Sequence, residues 1–140
     1  MILGFKQKFP WGKPTYFPAK IEHGKKIHSI REDKHNRWEK GKLIHMATGV
    51  RTKYYNCFME RYCRSVQKIK IWHTFSKYQS KRSFVSIDGE LIYKSSEPLF
   101  SDTKMILLAK NDGFDSVDDF FKWFDKNFEG VIIHWTYFRY

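Results

Sequence analysis

Residues 24–33 read GKKIHSIRED: a glycine, two lysines, then a histidine and a serine set between isoleucines, and an arginine. As a helix, this stretch would scatter its polar residues over several faces. As a strand it alternates imperfectly, with Ile27 and Ser29 on one side and Lys26, His28 and Ile30 on the other. It predicts a strand leaving a turn at Gly24. So much positive charge in ten residues fits either a solvated basic surface or the rim of a site for an anionic or electron-rich ligand.

Working outward, the chain predicts several strands and few helices. MILGF (1–5) reads as a short first strand. TYFPAKIEHG gives a helical turn or two after Pro18, stopped by Gly24. KLIHMAT (42–48) and SVQKIKIWH (65–73) read as strands, the second with Val66, Ile69 and Ile71 as its apolar residues. RSFVSIDGELIY (82–93) is a hairpin signal, because Asp88-Gly89 fits a two-residue turn between apolar strands. YQSKRS (78–83) predicts a loop. DTKMILLAKND (102–112) and SVDDFFKWFDKNF (116–128) predict helices. Ser116 and Asp119 open the second of these like a capping box, and Val117, Phe120, Phe121 and Phe124 form its apolar face. GVIIHWTYF (130–138) predicts a buried closing strand. There is no repeat, low-complexity tract or visible domain boundary. The expected fold is a single small α+β domain over residues 1–140, built as a partly closed β-barrel with a few short helices.

The 140 residues include 13 Phe, 8 Tyr and 5 Trp, enough to bury a sizeable core at modest overall hydropathy. The net charge of +11 points to a phosphate-bearing or polyanionic partner. No apolar run approaches the ~18 residues that span a membrane, and the first residues lack a secretory pattern. The expected setting is cytoplasmic, without membrane association. Cys57 and Cys63 are too few for a disulfide framework and predict free thiols. With His45 and His73 they offer donors for zinc, but CFMERYC is not a usual metal knuckle, so no metal site is expected. No cofactor motif is present. His28, His35, His45 and His134 lack ligand spacing and read as structural or exposed.

GKKIHSIRED resembles the signature of the ASCH domain family: a glycine, a basic residue, a lysine, and an arginine five positions after that lysine. Here these are Gly24, Lys25, Lys26 and Arg31. LAKNDGFDSVDDFFKWF resembles the family's second landmark, an acidic residue before Gly-Phe and then an acid-led helix. The two motifs lie in the right order, about 80 residues apart. The resemblance covers most of the chain, with an insertion from about Tyr54 to Ser101. It implies a β-barrel like that of the PUA RNA-binding domains, a cleft for RNA or a nucleoside, and occurrence in bacteria and phages.

One branch of that family hydrolyses N(4)-acetylcytidine to cytidine and acetate with a lysine, a hydroxyl residue and a carboxylate. By resemblance these fall on Lys26, Ser29 and Asp112, with serine in place of threonine and aspartate in place of glutamate. The chemistry is coherent by itself. Amide hydrolysis needs a nucleophile, a base and a stabilised oxyanion. Ser29 is the candidate nucleophile and Lys26 its base, with Lys25 and Arg31 lowering the lysine's proton affinity. Arg31 can also hold a phosphate or the cytosine carbonyl. Asp112 would orient a water or the leaving amine. On a regular strand Lys26 and Ser29 face opposite sides, so pairing them requires a turn or bulge between them. In HNRWEKGK, Trp38 beside Arg37 offers a base-stacking contact, or else packs beneath its loop. In a plainer reading Lys26 is a solvated charge, Ser29 an ordinary strand residue and Asp112 a helix-end residue. The functional alternatives are a non-catalytic RNA-binding module and a metal-assisted ribonuclease.

Overall fold

The computed structural model describes residues 1–78, 80–95 and 102–140, and the backbone alone for residue 102. In chain order the elements are β1 (Ile2–Gly4), α1 (Phe17–Glu22), β2 (His28–Arg31), β3 (Leu43–Thr48), β4 (Asn56–Tyr62), β5 (Ser65–Phe75) and β6 (Lys81–Ile87). Then come β7 (Glu90–Lys94), α2 (Asp102–Asn111), α3 (Val117–Trp123) and β8 (Phe128–His134). The class is α+β, as the sequence predicts. The strands form two sheets: β1-β3-β4, and β2-β8-β5-β6-β7. The expected barrel is not formed. The described strands leave both sheets open, each ending in edge strands rather than closing on itself.

The five-stranded sheet is antiparallel throughout. β5 alternates as its sequence requires, with Gln67, Ile69, Ile71 and His73 buried and Lys68 and Lys70 exposed. Val66 takes the other, half-buried face. β8 lies between β2 and β5, and Val131 to His134 are buried in succession. That fits a strand covered on both faces, and it explains the continuous apolar run. Gly130 permits the β2–β8 approach: a Cβ there would fall 2.2 Å from the Arg31 carbonyl oxygen. The β6–β7 hairpin turns on Asp88 and Gly89 at φ 50° and 81°, the left-handed pair that a two-residue primed turn needs.

In the smaller sheet β1 runs parallel to β3, and β4 is antiparallel to β3. Strand β4 was not expected from sequence. Its register slips once: Met46 faces Met59, but Ala47 faces Cys57, leaving Phe58 as the extra residue of a β-bulge. Residues from both sheets and all three helices share one hydrophobic cluster, which includes Leu3, Ile44, Ile71, Met105, Phe120 and Ile132.

The helices differ in extent from expectation. α1 begins at Phe17, with Pro18 in its first turn, where the absent N–H costs nothing. α3 is capped by the Ser116 hydroxyl, which accepts from the Asp119 N–H at 3.1 Å. It ends at Trp123 rather than continuing to Phe128, because Phe128 starts β8. His73 fixes that ending by bonding the Phe124 carbonyl at 2.8 Å and Ser83 Oγ at 2.8 Å. β8 in turn stops at His134, short of the predicted Phe138.

Candidate functional site

The first turn of sequence after α1 carries the site. Gly24 adopts φ 72°, and the Lys25 and Lys26 N–H groups both donate back to the Lys20 carbonyl. Ile27 N–H donates to the Asn111 carbonyl at the end of α2. Strand β2 therefore starts only at His28, and Lys26 lies outside it. The parity that would separate Lys26 from Ser29 on a regular strand does not apply. Both residues line one cleft of about 260 Å³ with Arg31, Asp112, Phe17, Phe114 and Trp123.

Lys26 is not a solvated charge: it is 2 % exposed. Its ammonium donates to the His28 carbonyl at 2.9 Å, to Asp112 Oδ1 at 3.3 Å and to the Asp112 carbonyl. It also sits 4.8 Å from the centre of the Phe17 ring. Burial lowers its pKa to about 8; the Asp112 charge resists that fall and Arg31 adds to it. The three donors of the ammonium have three acceptors, so the charge is buried but satisfied.

Asp112 is the hub. Its Oδ1 accepts from Lys26, from the Ile30 N–H at 3.2 Å and from His28 Nδ1 at 3.2 Å. Burial pushes its pKa up, but the Lys26 charge and the His28 hydrogen bond outweigh this and hold the carboxyl below its ordinary range. Oδ2 accepts nothing from the described residues. Gly113, at φ 95°, lets the chain turn away tightly; a Cβ there would come within 2.9 Å of the Lys26 and Phe17 side chains.

His28 is fully buried, and burial lowers its pKa. Its Nε2 meets the Tyr140 hydroxyl at 2.6 Å. The neutral tautomer that satisfies both contacts donates from Nδ1 to Asp112 and accepts at Nε2. Asn111 also donates to the Tyr140 hydroxyl, at 3.1 Å. Behind this layer, Gln67 Oε1 accepts from Tyr140 N–H and from His134 Nε2. His134 Nδ1 is buried with no partner among the described residues. Burial, then the neighbouring His28 and Arg139, push His134 down to about 3.

Ser29 Oγ accepts from Arg31 Nε at 3.0 Å, which leaves its proton free to point elsewhere. Arg31 also reaches the Gly4 carbonyl at 2.6 Å and lies over the Phe5 ring. It ties the two sheets together as well as lining the cleft.

The other sequence candidates lie apart. Lys25 lines a separate cleft with Lys20, Lys110 and Asp115. Arg37 and Trp38 belong to a loop held by Asp33, whose carboxylate accepts from both backbone N–H groups. Trp38 is half-buried and packs on the core. Sequence reasoning missed His28 and Tyr140 as partners of the site. The alternation of residues 26–33 had put His28 on the side of Lys26, and that was the available signal. The Cys57, Cys63, His45, His73 set does not assemble: Cys63 is buried, with its thiol on the Ser65 carbonyl, and His73 is taken by Ser83 and Phe124.

Among the described residues, no helix is long and apolar enough to cross a membrane. No family model, curated protein or solved structure matches the chain significantly.

Proposed function

We propose that the chain is an ASCH-type, PUA-like protein whose Lys26 cleft binds an N(4)-acylated cytidine and hydrolyses its amide. The observation that carries this reading is that the buried Lys26–Asp112 pair and Ser29 line one aromatic-walled cleft. A volume of about 260 Å³ lies just below the ~300–1,000 Å³ of typical ligand sites, which limits the cleft to a ligand no larger than a single nucleoside. Phe17, Phe114 and Trp123 offer apolar walls for a base.

Ser29 Oγ attacks the acyl carbonyl, and a neutral Lys26 amine takes its proton. The lysine then returns that proton to the exocyclic nitrogen, which leaves as the amino group of cytidine. A water oriented by Asp112 Oδ2 then attacks the acetyl-Ser29 ester. The neutral Lys26 amine takes a proton from the water and passes it to Ser29 Oγ as the ester bond breaks, and the acetic acid leaves as acetate with its proton lost to solvent. A lysine with a pKa of about 8 is neutral in roughly a tenth of molecules at pH 7. Arg31, which lines the same cleft, would hold the developing oxyanion.

The test is incubation with N(4)-acetylcytidine and chromatography for released cytidine. Ser29→Ala should lower the rate about a hundredfold or more, the scale of losing an acid–base partnership. Its only described side-chain bond is to Arg31, so the fold should survive. A full rate in Ser29→Ala would remove the serine from the reaction.

A second reading, an RNA-binding module without chemistry, draws on a different observation. All three Lys26 donors are engaged, while the +11 charge exceeds what a neutral nucleoside needs. Tyr54, Tyr62 and Tyr137 are exposed, with Arg64 over the Tyr137 ring at 5.0 Å. An inactive chain that binds RNA with steep salt dependence would select this reading.

A further inference from the structure

We propose that His45, Cys57 and Glu60 form a surface site for a borderline-soft divalent cation of the zinc type. The three residues come from β3 and β4, away from the Lys26 cleft, and the proposal does not depend on the nucleoside reading.

The β-bulge creates the arrangement. Cys57 and Glu60 are three positions apart, so a regular β4 would send them to opposite faces. His45 faces Glu60 directly across the ladder. One residue of slippage at Phe58 then sets Cys57 opposite Ala47, two positions along from His45. The thiol thereby joins the imidazole and the carboxylate on one face, and the small Ala47 side chain puts no bulk beside it. Bulges recur next to functional sites because they re-aim a side chain in this way.

The donor atoms of the three residues all lie within 4.8 Å of one another. Ligands ~2.0–2.3 Å from a tetrahedral zinc sit about 3.3–3.8 Å apart, so small rotamer adjustments close the set. His45 Nδ1 and Glu60 Oε1 are already 3.2 Å apart. Among the described residues, Cys57 Sγ has only a weak contact with the Met59 carbonyl at 3.7 Å, which a metal bond readily replaces.

Donor chemistry selects the ion. Thiolate and imidazole disfavour magnesium and calcium, which take oxygen ligands, and suit zinc or cobalt. On binding, the cation sheds waters and the Cys57 thiol releases its proton to solvent. Thiolate and carboxylate then balance the two positive charges. Three protein ligands leave the fourth position to water, so the site is open. Half-buried His45 and exposed Cys57 and Glu60 leave the ion a path in.

The test uses the full chain, reduced and stripped of metal, titrated with Co²⁺. A thiolate-to-cobalt band in the near ultraviolet and tetrahedral visible bands are expected, saturating at a single equivalent and bleached by Zn²⁺. Cys57→Ser should lose the thiolate band. His45→Ala and Glu60→Gln should each weaken Zn²⁺ at least about tenfold, the lower range for disturbing even an outer partner. Cys63→Ser should bind as the wild type does. All three ligand positions lie at the surface, and circular dichroism checks that each variant folds. No thiolate band in the wild type, a band retained in Cys57→Ser, or Zn²⁺ affinity unchanged in the His45 and Glu60 variants would overturn the site.

Discussion

Asp112→Ala removes the carboxylate that, among the described residues, the buried Lys26 ammonium touches. The lysine keeps two backbone acceptors, the His28 and Asp112 carbonyls, but loses its counter-charge. The same change strips the Ile30 N–H and His28 Nδ1 of their acceptor. Orphaning one member of a buried ion pair costs about 3–5 kcal/mol, a large part of the roughly 5–15 kcal/mol that holds a domain folded. At about 2–4 °C per kcal/mol, the melting temperature should fall by about 6–20 °C. The assay is urea and thermal unfolding followed by circular dichroism. Adding Lys26→Met to the variant removes the orphaned charge and should recover part of the loss.

The pH dependence gives an independent readout. A folded-state lysine pKa below the unfolded 10.5 means that the unfolded chain holds more protons between the two values. Stability therefore rises with pH across that window. In the wild type the window opens near 8. Asp112 raises the lysine's pKa, so Asp112→Ala should open the window at lower pH and regain stability earlier on the alkaline side. A loss below about 1 kcal/mol, the scale of an exposed pair, would refute the reasoning. So would a variant whose alkaline profile matches the wild type. The burial of Lys26 also means that Lys26→Ala cannot serve as a stability-neutral probe of catalysis, as a solvated lysine would.

Three other outcomes follow from the same geometry. His28 and His134 are both held neutral by burial, so the unfolded chain takes up protons first as pH falls below 6.5; stability should decline from there, before carboxylates titrate, and His134→Gln should flatten part of the slope. Gly130→Ala drives a methyl into the Arg31 carbonyl, and urea unfolding should show a loss of about 1–3 kcal/mol or more, whereas Ser116→Ala, removing only a cap, should lose about 1. If phosphate contacts dominate binding, affinity for single-stranded RNA measured by fluorescence anisotropy should drop steeply between low and physiological salt; a flat response would exclude a phosphate-tracking surface.

The sequence made some elements legible because one physical signal dominated them. β5 alternates, the β6–β7 turn needs two left-handed residues and has Asp-Gly, and α3 opens on a serine cap. β4 gave no such signal. Five of its seven residues are exposed, and the bulge breaks its period. Barrel closure was illegible for another reason: it depends on whether distant edges meet, which local alternation cannot report. At the site, the convergence of Lys26 with Asp112 followed from paired motifs. Its burial did not, because a lysine in a basic run looks the same in sequence whether water or an aspartate receives it. The closing His28–Tyr140 contact joins residues whose separation leaves no periodic trace.

The position of β8 has a kinetic consequence. Strand β2 and strand β5 never pair with each other; each pairs with β8, and His28 waits for His134, about a hundred residues later. Until residues 128–134 have been synthesised, the growing chain carries two unsatisfied strand edges and a half-formed aromatic core. Such long-range closure is slow, since loop entropy is spent before contacts repay it. Folding should therefore have a late, concerted step, in which one strand inserts as a wedge and completes the sheet together with the Asp112 hub. A nascent chain arrested before Phe128 should expose both edges, bind a hydrophobic dye and resist refolding, and that interval is when a chaperone would matter most.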